Sequence, residues 1–217
     1  MATKSQTKKP AVKQPARKGL THQVRIIGGQ WKRTPLPVLD AEGLRPTPDR
    51  VRETVFNWLT HLFDGAWDNA ACLDLFAGTG ALGFEAASRG AARVVMVESN
   101  VSAVRQLEAT KEKLHAEQVS IVRGDAHSVA QGLVTRGASL ASGFHVIFLD
   151  PPYHQDWLAK MLPVCEKLLA KGGLVYAESE QPLDADAAPE WMVNWEVIRA
   201  DKAGMVFYHL LQRKIAA

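Results

Sequence analysis

From Ala70 to the C-terminus, short apolar runs alternate with amphipathic ones, and the first apolar run ends on glycines. Cys72-Leu-Asp-Leu-Phe leads at once into Ala77-Gly-Thr-Gly80-Ala-Leu-Gly83. A buried strand, a glycine turn and a helix in that order open a doubly wound sheet. The alternation continues with a helix over 82–89, a strand over 93–98 and a helix from about 101 to 117. A strand over 119–122, a helix from about 128 and a strand over 144–150 follow. A helix over about 156–170 and a strand over 174–179 complete the run. Strands without polar alternation are covered on both faces, which means a parallel sheet between helices. The last two apolar runs, 195–199 and 205–212, have no helix between them. They predict an antiparallel hairpin at one edge. The expected fold is α/β and Rossmann-like, with seven strands, mostly parallel.

Ahead of this domain the pattern differs. Residues 1–39 hold nine of the 26 basic residues and no acid, so a basic arm precedes an acidic body. Residues 1–21 have two prolines and almost no large apolar side chain, and they read as a disordered basic tail. Residues 22–69 read as an extension, with a short strand from Val24, loop signals at Pro35–Pro37 and 43–48, and a helix from Pro48 to about Phe63. Thr47 is the candidate N-cap of that helix. Residues 70–217 form the main domain. The split of charge between arm and body excludes a uniformly basic protein, and 47% apolar residues support a buried core and exclude a wholly disordered chain. No long apolar segment predicts a membrane span. The N-terminus lacks the apolar stretch of a secretory signal, and its Lys and Pro content argues against an amphipathic transit helix. Cys72 and Cys165 lie among apolar residues and read as core thiols in a reducing compartment; a cytoplasmic location is expected. Seven scattered histidines predict no metal site.

The glycine turn carries the first chemical reading. Gly78 and Gly80 let the backbone turn tightly and approach a ligand, and Gly83 permits close packing of the next helix. Glu98 ends the second strand, where a carboxylate can accept both hydroxyl protons of a ribose. Asp125, after the third strand, is a candidate contact to an adenine amine. The frame fits NAD or S-adenosylmethionine. Asp74, placed just before the glycines, suits the cationic amino-acid end of S-adenosylmethionine, whereas a dinucleotide site presents a helix N-terminus to pyrophosphate.

The fourth strand ends in Asp150-Pro151-Pro152-Tyr153. Prolines alone could stop a strand, but the flanking acid and aromatic suggest more. The amine on a nucleobase is a poor nucleophile because its lone pair is delocalised into the ring. Acceptors on both of its N–H groups, the Asp150 carboxylate and the Pro151 carbonyl, favour the tetrahedral nitrogen needed for attack. The prolines hold that carbonyl in place beforehand. Tyr153 can stack on a base face, worth about 1–3 kcal/mol. Methyl transfer needs positioning and no metal.

The glycine segment and Asp150-Pro-Pro-Tyr together resemble the class I S-adenosylmethionine-dependent methyltransferases of exocyclic amines. Arg25-Ile-Ile-Gly-Gly-Gln-Trp, Gly43-Leu-Arg-Pro-Thr-Pro-Asp-Arg-Val-Arg-Glu-Thr-Val-Phe-Asn-Trp-Leu and Phe76-Ala-Gly-Thr-Gly-Ala-Leu-Gly-Phe-Glu-Ala-Ala-Ser-Arg-Gly-Ala narrow this to a resemblance to the RsmD family, bacterial 16S rRNA guanine-N2 methyltransferases. The likeness spans about residues 24–213. It implies S-adenosylmethionine as cofactor, held by Asp74, Phe76, Ala77, Gly78, Thr79, Gly80, Glu98, Ser99, Asp125 and Ala126. It implies that Asp150, Pro151, Pro152 and Tyr153 hold the target guanine, and that the substrate is 16S rRNA in a partly or fully assembled small ribosomal subunit. The family usually carries Glu-x-Asp after the second strand, where this chain has Glu98-Ser99-Asn100.

The basic entry segment gains meaning beside a base-modifying site. Arg25, Lys32, Arg33, Arg45, Arg50 and Arg52, with Thr47 among them, are the candidate RNA contacts, holding phosphates while a base enters the pocket. A monomer is expected from a compact single domain. The alternatives are an adenine-N6 methyltransferase, a protein glutamine methyltransferase (which would typically show Asn at position 150), a nicotinamide oxidoreductase and a non-catalytic RNA-binding module.

Overall fold

The computed structural model describes residues 24–38, 47–137, 143–152, 155–183 and 189–214. The tail over 1–21, residues 138–142, Arg45 and Tyr153 lie outside them.

The extension begins with a two-stranded antiparallel hairpin, β1 (Val24–Arg25) and β2 (Pro35–Leu36), with Val24 opposite Leu36. Pro35 thus lies in a strand rather than a loop. In so short a ribbon its missing N–H costs little, because neighbouring Ile26 and Arg33–Thr34 carry the closing hydrogen bonds. Helix α1 (Asp49–Leu62) follows, burying Val51, Val55, Phe56 and Leu59. Its N-cap is Pro48, with no side-chain cap bond, so Thr47 is not the cap.

The main sheet contains β3 (Ala71–Asp74), β4 (Arg93–Glu98), β5 (Val119–Arg123), β6 (Phe144–Leu149), β7 (Leu169–Ser179), β8 (Trp195–Ala203) and β9 (Val206–Arg213). Their order is β5-β4-β3-β6-β7-β9-β8. The first five run parallel, and β9 pairs antiparallel with both β7 and β8. The expected seven strands and edge hairpin are present. Helices α2 (Ala81–Ser88), α3 (Val101–Leu114), α4 (Ala126–Thr135) and α5 (Trp157–Leu168) join the parallel strands. Several boundaries differ from the sequence reading. Helix α3 stops at Leu114 because His115 turns left-handed (φ 51°). Helix α4 starts two residues before Ser128, because the Asp125 side chain accepts the Ser128 N–H and caps it. Strand β7 begins at Leu169, directly after α5.

Two apolar layers flank the sheet. One packs α1, α2 and the hairpin against Cys72, Met96, Phe148 and Tyr176. The other packs α4 and α5 against Leu73, Val97, Ile147 and Val175. Both cysteines are buried free thiols, and burial pushes the Cys72 thiol up to about 12. All eight residues of α2 are buried, so its polar side chains must find internal partners. They find the hairpin: Glu85 accepts the N–H groups of Ile27 (2.6 Å) and Gly28 (2.8 Å) and the Arg89 guanidinium (2.8 Å). Ser88 accepts the Trp31 N–H and donates to the Gly28 carbonyl. Gly29 sits at φ +71° with its α-carbon against the Ser88 carbonyl, where a side chain would collide with backbone. The extension and the sheet therefore share one core.

Candidate functional site

Sheet order reverses between β3 and β6, so the loops after these strands diverge and leave a crevice at their carboxyl ends. A cavity of about 380 Å3 occupies it. The loops after β3, β4, β5 and β6 all contribute to its walls, and Val38 and Thr47 close it from the extension.

The glycine turn is built as its sequence requires. Gly78 (φ +51°) and Gly80 (φ +77°) are both left-handed, and Gly80 caps α2. The Gly78 N–H donates to Glu98 at 2.9 Å, so the Glu98 carboxylate faces the turn across the cavity mouth. Its other oxygen accepts the Asn100 N–H at 2.7 Å. Asn100 in turn accepts the N–H groups of Ser102 and Ala103 as the N-cap of α3. Asparagine caps a helix as well as aspartate does, which explains how the sequence departs from the usual Glu-x-Asp with Glu98 held in place. Phe76, Ala77, Gly78, Thr79, Glu98, Ser99, Asp125 and Ala126 all line the cavity. Phe76 meets Trp157 edge-on, with centroids 5.2 Å apart, and forms one apolar wall.

Two predicted cofactor residues do not face it. Asp74 is buried beneath the turn, where it accepts the N–H groups of Phe76 (3.3 Å) and Gly83 (3.1 Å). It shapes the loop from below. Gly80 points into the helix junction, where a side chain would meet Phe84 and Leu107. Burial pushes the Asp74 carboxyl up to about 7, opposed by its two backbone bonds and reinforced by the charge of Glu98. Because the folded pKa lies above the ordinary 3.8, ionisation favours the unfolded chain. That destabilisation grows as pH rises through this window and is constant above it. The unfolding free energy of Asp74→Asn, relative to the natural chain, is therefore expected to improve from about pH 4 to pH 7 and then level off. Urea unfolding across a pH series checks it; a flat difference would mean that Asp74 titrates normally in the fold.

On the opposite wall, Asp150, Pro151 and Pro152 follow β6 and line the same cavity. Asp150 is partly buried in the cavity wall. Thr47 Oγ1 lies 3.0 Å from Asp150 Oδ2 and 2.8 Å from Glu178 Oε1. Glu178, on β7, also accepts from the Tyr176 hydroxyl at 2.7 Å. Burial raises both carboxyls, Asp150 well above its ordinary range, and their mutual repulsion adds to Asp150. Sequence reasoning missed Glu178 and Tyr176 as site residues, and also the cavity-lining Gln155 and Trp157.

The predicted basic contacts separate into two kinds. Arg25, Lys32, Arg33 and Arg50 are exposed on the hairpin and α1. Arg52 is wholly buried; its guanidinium donates to the carbonyls of Thr47 and Arg25 and pairs with Asp49 at 2.6 Å. It ties α1 to the hairpin and offers no charge to a phosphate. Thr47 is likewise buried, on the two carboxyls. Among the described residues no cluster of ligands suits a metal ion, and no helix is long and apolar enough to cross a membrane.

Comparison with known proteins agrees with this architecture. The family model described as conserved hypothetical protein 95 matches residues 24–212. The ribosomal RNA small subunit methyltransferase D of Escherichia coli K12 is 40% identical over 194 residues, which cover 88% of this chain and 91% of that protein. Its Haemophilus influenzae counterpart is 37% identical over 196 residues, covering 88% and 94%. The solved Escherichia coli protein yhhF, 37% identical, superposes with a TM-score of 0.70 over 88% of this chain and 98% of its own. The chain therefore belongs to the conserved hypothetical protein 95 family, that of the RsmD-type methyltransferases, and its fold is the class I methyltransferase fold.

Proposed function

We propose that this chain transfers the methyl group of S-adenosylmethionine to the exocyclic N2 amine of a guanine in 16S rRNA of the small ribosomal subunit. One observation carries the reading: a single cavity joins the glycine turn and Glu98 on one wall to Asp150, Pro151 and Pro152 on the other. The residues present fit the cofactor. Glu98 offers carboxylate oxygens to ribose hydroxyls, Asp125 and Ala126 face the adenine end, and Phe76, Ala77, Gly78, Thr79 and Ser99 line the space between. When bound, the cofactor supplies a methyl group activated by a cationic sulfur.

The chain's own residues act on the amine. The Asp150 carboxylate and the Pro151 carbonyl accept hydrogen bonds from its two N–H groups and draw the nitrogen towards a tetrahedral shape. Pro151 and Pro152 fix the backbone in advance, and the cavity walls limit water around the reacting nitrogen. Tyr153 supplies the stacking face. The names of the curated relatives support ribosomal RNA as substrate. The guanine N2 position rests on the Asp-Pro-Pro-Tyr segment together with the family resemblance. Residues 22–69 serve as an RNA-contacting extension, with 70–217 as the catalytic domain.

Arg25, Lys32, Arg33 and Arg50 are the exposed cations of that extension, and Arg45 joins them by sequence. Each phosphate contact adds about 0.7 to the slope of log affinity against log salt for single-stranded RNA. The double variant Arg33→Ala, Arg50→Ala is expected to lower that slope by roughly 1.4 and to weaken RNA binding without altering cofactor binding. An unchanged slope in filter-binding titrations would remove these cations from the interface. The overall reading is tested by mapping methylated nucleosides in small-subunit rRNA from cells with and without the protein. Loss of one N2-methylguanosine is expected, and an unchanged map would refute the assignment.

A further inference from the structure

Thr47 belongs to the extension, yet its hydroxyl reaches two acids of the cavity wall. Its Oγ1 lies 3.0 Å from Asp150 Oδ2 and 2.8 Å from Glu178 Oε1. The same Glu178 oxygen accepts the Tyr176 hydroxyl at 2.7 Å. The Asp150 and Glu178 carboxyls also share a hydrogen bond directly. Thr47 and Glu178 are both buried, so neither can trade these partners for water. From the other side, the buried Arg52 guanidinium donates to the carbonyls of Thr47 (3.3 Å) and Arg25 (2.8 Å). Thr47 is thereby fixed between the hairpin and the two acids.

The donors decide which acid holds the charge. Glu178 receives hydroxyls from both Thr47 and Tyr176, and an ionised carboxyl accepts such donors more strongly than a neutral one. Glu178 is therefore the ionised member of the pair, and the proton between the two acids rests on Asp150. Opposing effects act on that proton. Burial keeps it on Asp150, followed by the charge of Glu178; Asp74 of β3 and the direct hydrogen bond to Glu178 act in the same sense. The Thr47 hydroxyl acts the other way, because turned to Asp150 Oδ2 it stabilises the carboxylate. On the far side, Tyr176 favours the Glu178 charge, and Tyr208 of β9 bears on Tyr176.

We infer that Thr47 and Glu178 are opposed positioning residues for Asp150: the Thr47 hydroxyl favours the carboxylate that accepts the substrate amine, and the Glu178 charge favours the neutral acid. This rests on the proposed function. As pH rises, Asp150 releases its proton through the cavity to solvent. Thr47 then turns its hydroxyl proton from Glu178 to Asp150, and Tyr176 stays on Glu178. The pair now carries two negative charges, each with one hydroxyl donor. A carboxylate accepts the amine N–H more strongly than a neutral acid does. The rate of methyl transfer therefore rises with pH as Asp150 ionises, and its two neighbours set the pH at which it does so.

Glu178→Gln removes the like charge while keeping an oxygen for Thr47 and Tyr176. The acid limb of kcat for methyl transfer into small-subunit rRNA is expected to move down by about one pH or more, so that kcat below the natural limb rises roughly tenfold. Thr47→Val removes the donor and should move the limb up, though less far, while Thr47→Ser keeps it in place. A merely structural role would lower kcat at every pH and leave the limb where it is. Limbs that move in the same direction, an unmoved limb in Glu178→Gln, or a Thr47→Ser limb that follows Thr47→Val overturns the inference. A second readout needs neither RNA nor cofactor. Infrared difference spectra of the ligand-free protein at neutral pH, natural chain minus Asp150→Asn, should show the carbonyl band of a protonated carboxyl. The same difference taken in a Glu178→Gln background should lose it. A band missing from the natural chain, or retained in full without the Glu178 charge, overturns the inference and, where rRNA is still methylated, spares the proposed function. The expected spectra in a protein that methylates no rRNA overturn the proposed function, and the positioning role falls with it.

Discussion

Asp150→Ala is expected to lower methyl transfer into small-subunit rRNA by roughly 100- to 1,000-fold, with the fold and cofactor affinity retained. The size follows from what the side chain does. In the proposed reaction its carboxyl is one of two acceptors aimed at an amine whose lone pair must be localised before it can attack. That contact strengthens only as the nitrogen becomes tetrahedral, so its loss appears in kcat more than in binding. Stability should not suffer. The enclosed carboxyl strongly resists ionisation, so no buried charge pair is broken, and Thr47 keeps its hydrogen bond to Glu178. Glu98→Ala should fail in the opposite way: the cofactor KM rises while kcat changes less, since Glu98 lines the wall proposed to hold the cofactor. Steady-state kinetics with labelled methyl donor separates the two. An Asp150→Ala enzyme with full kcat would show that the tetrapeptide does not orient the amine.

The second large effect is on stability and comes from α2. Glu85 is completely buried and holds two hairpin N–H groups and the Arg89 guanidinium, whose side chain is only 15% exposed. Glu85→Ala leaves a nearly buried cation and two backbone donors without their acceptor. Breaking a buried ion pair from one side typically costs about 3–5 kcal/mol. Glu85→Gln, which keeps one oxygen, should cost about half of that. Denaturant unfolding measures both. The hairpin leads into the segment carrying Val38 and Thr47, so Glu85→Ala should also slow methyl transfer even where the protein stays folded. A loss under about 1 kcal/mol would mean that the hairpin is held by its apolar contacts rather than by Glu85.

The parts of this structure that were legible in the sequence are those written in local pattern. The buried strands, the Gly78–Gly80 turn and Asp150-Pro-Pro each announce themselves within a few residues. Strand β2 did not, because two residues containing a proline carry no strand period. Thr47 was misread for a physical reason: a threonine before Pro48 looks like a cap, but its hydroxyl is taken by acids that lie 103 and 131 positions away. Arg52 looked like one more cation in a basic stretch, and only the docking of the hairpin onto α1 buries it. Glu178 ends a strand like many acids. Its meaning comes from Asp150 on the neighbouring strand, a pairing set by register rather than by spacing. Asp74 was placed correctly at the head of the turn, but the sequence does not tell whether a side chain supports a loop from beneath or faces the ligand above.

Methylation of guanine N2 in small-subunit rRNA by this cavity can be measured directly. The most direct measurement incubates the purified chain with methyl-labelled S-adenosylmethionine and small ribosomal subunits lacking their own modification, then digests the rRNA to nucleosides. Label is expected in N2-methylguanosine at a single site, and its loss is expected with Asp150→Ala. Label in N6-methyladenosine, or none in any rRNA nucleoside, would contradict it.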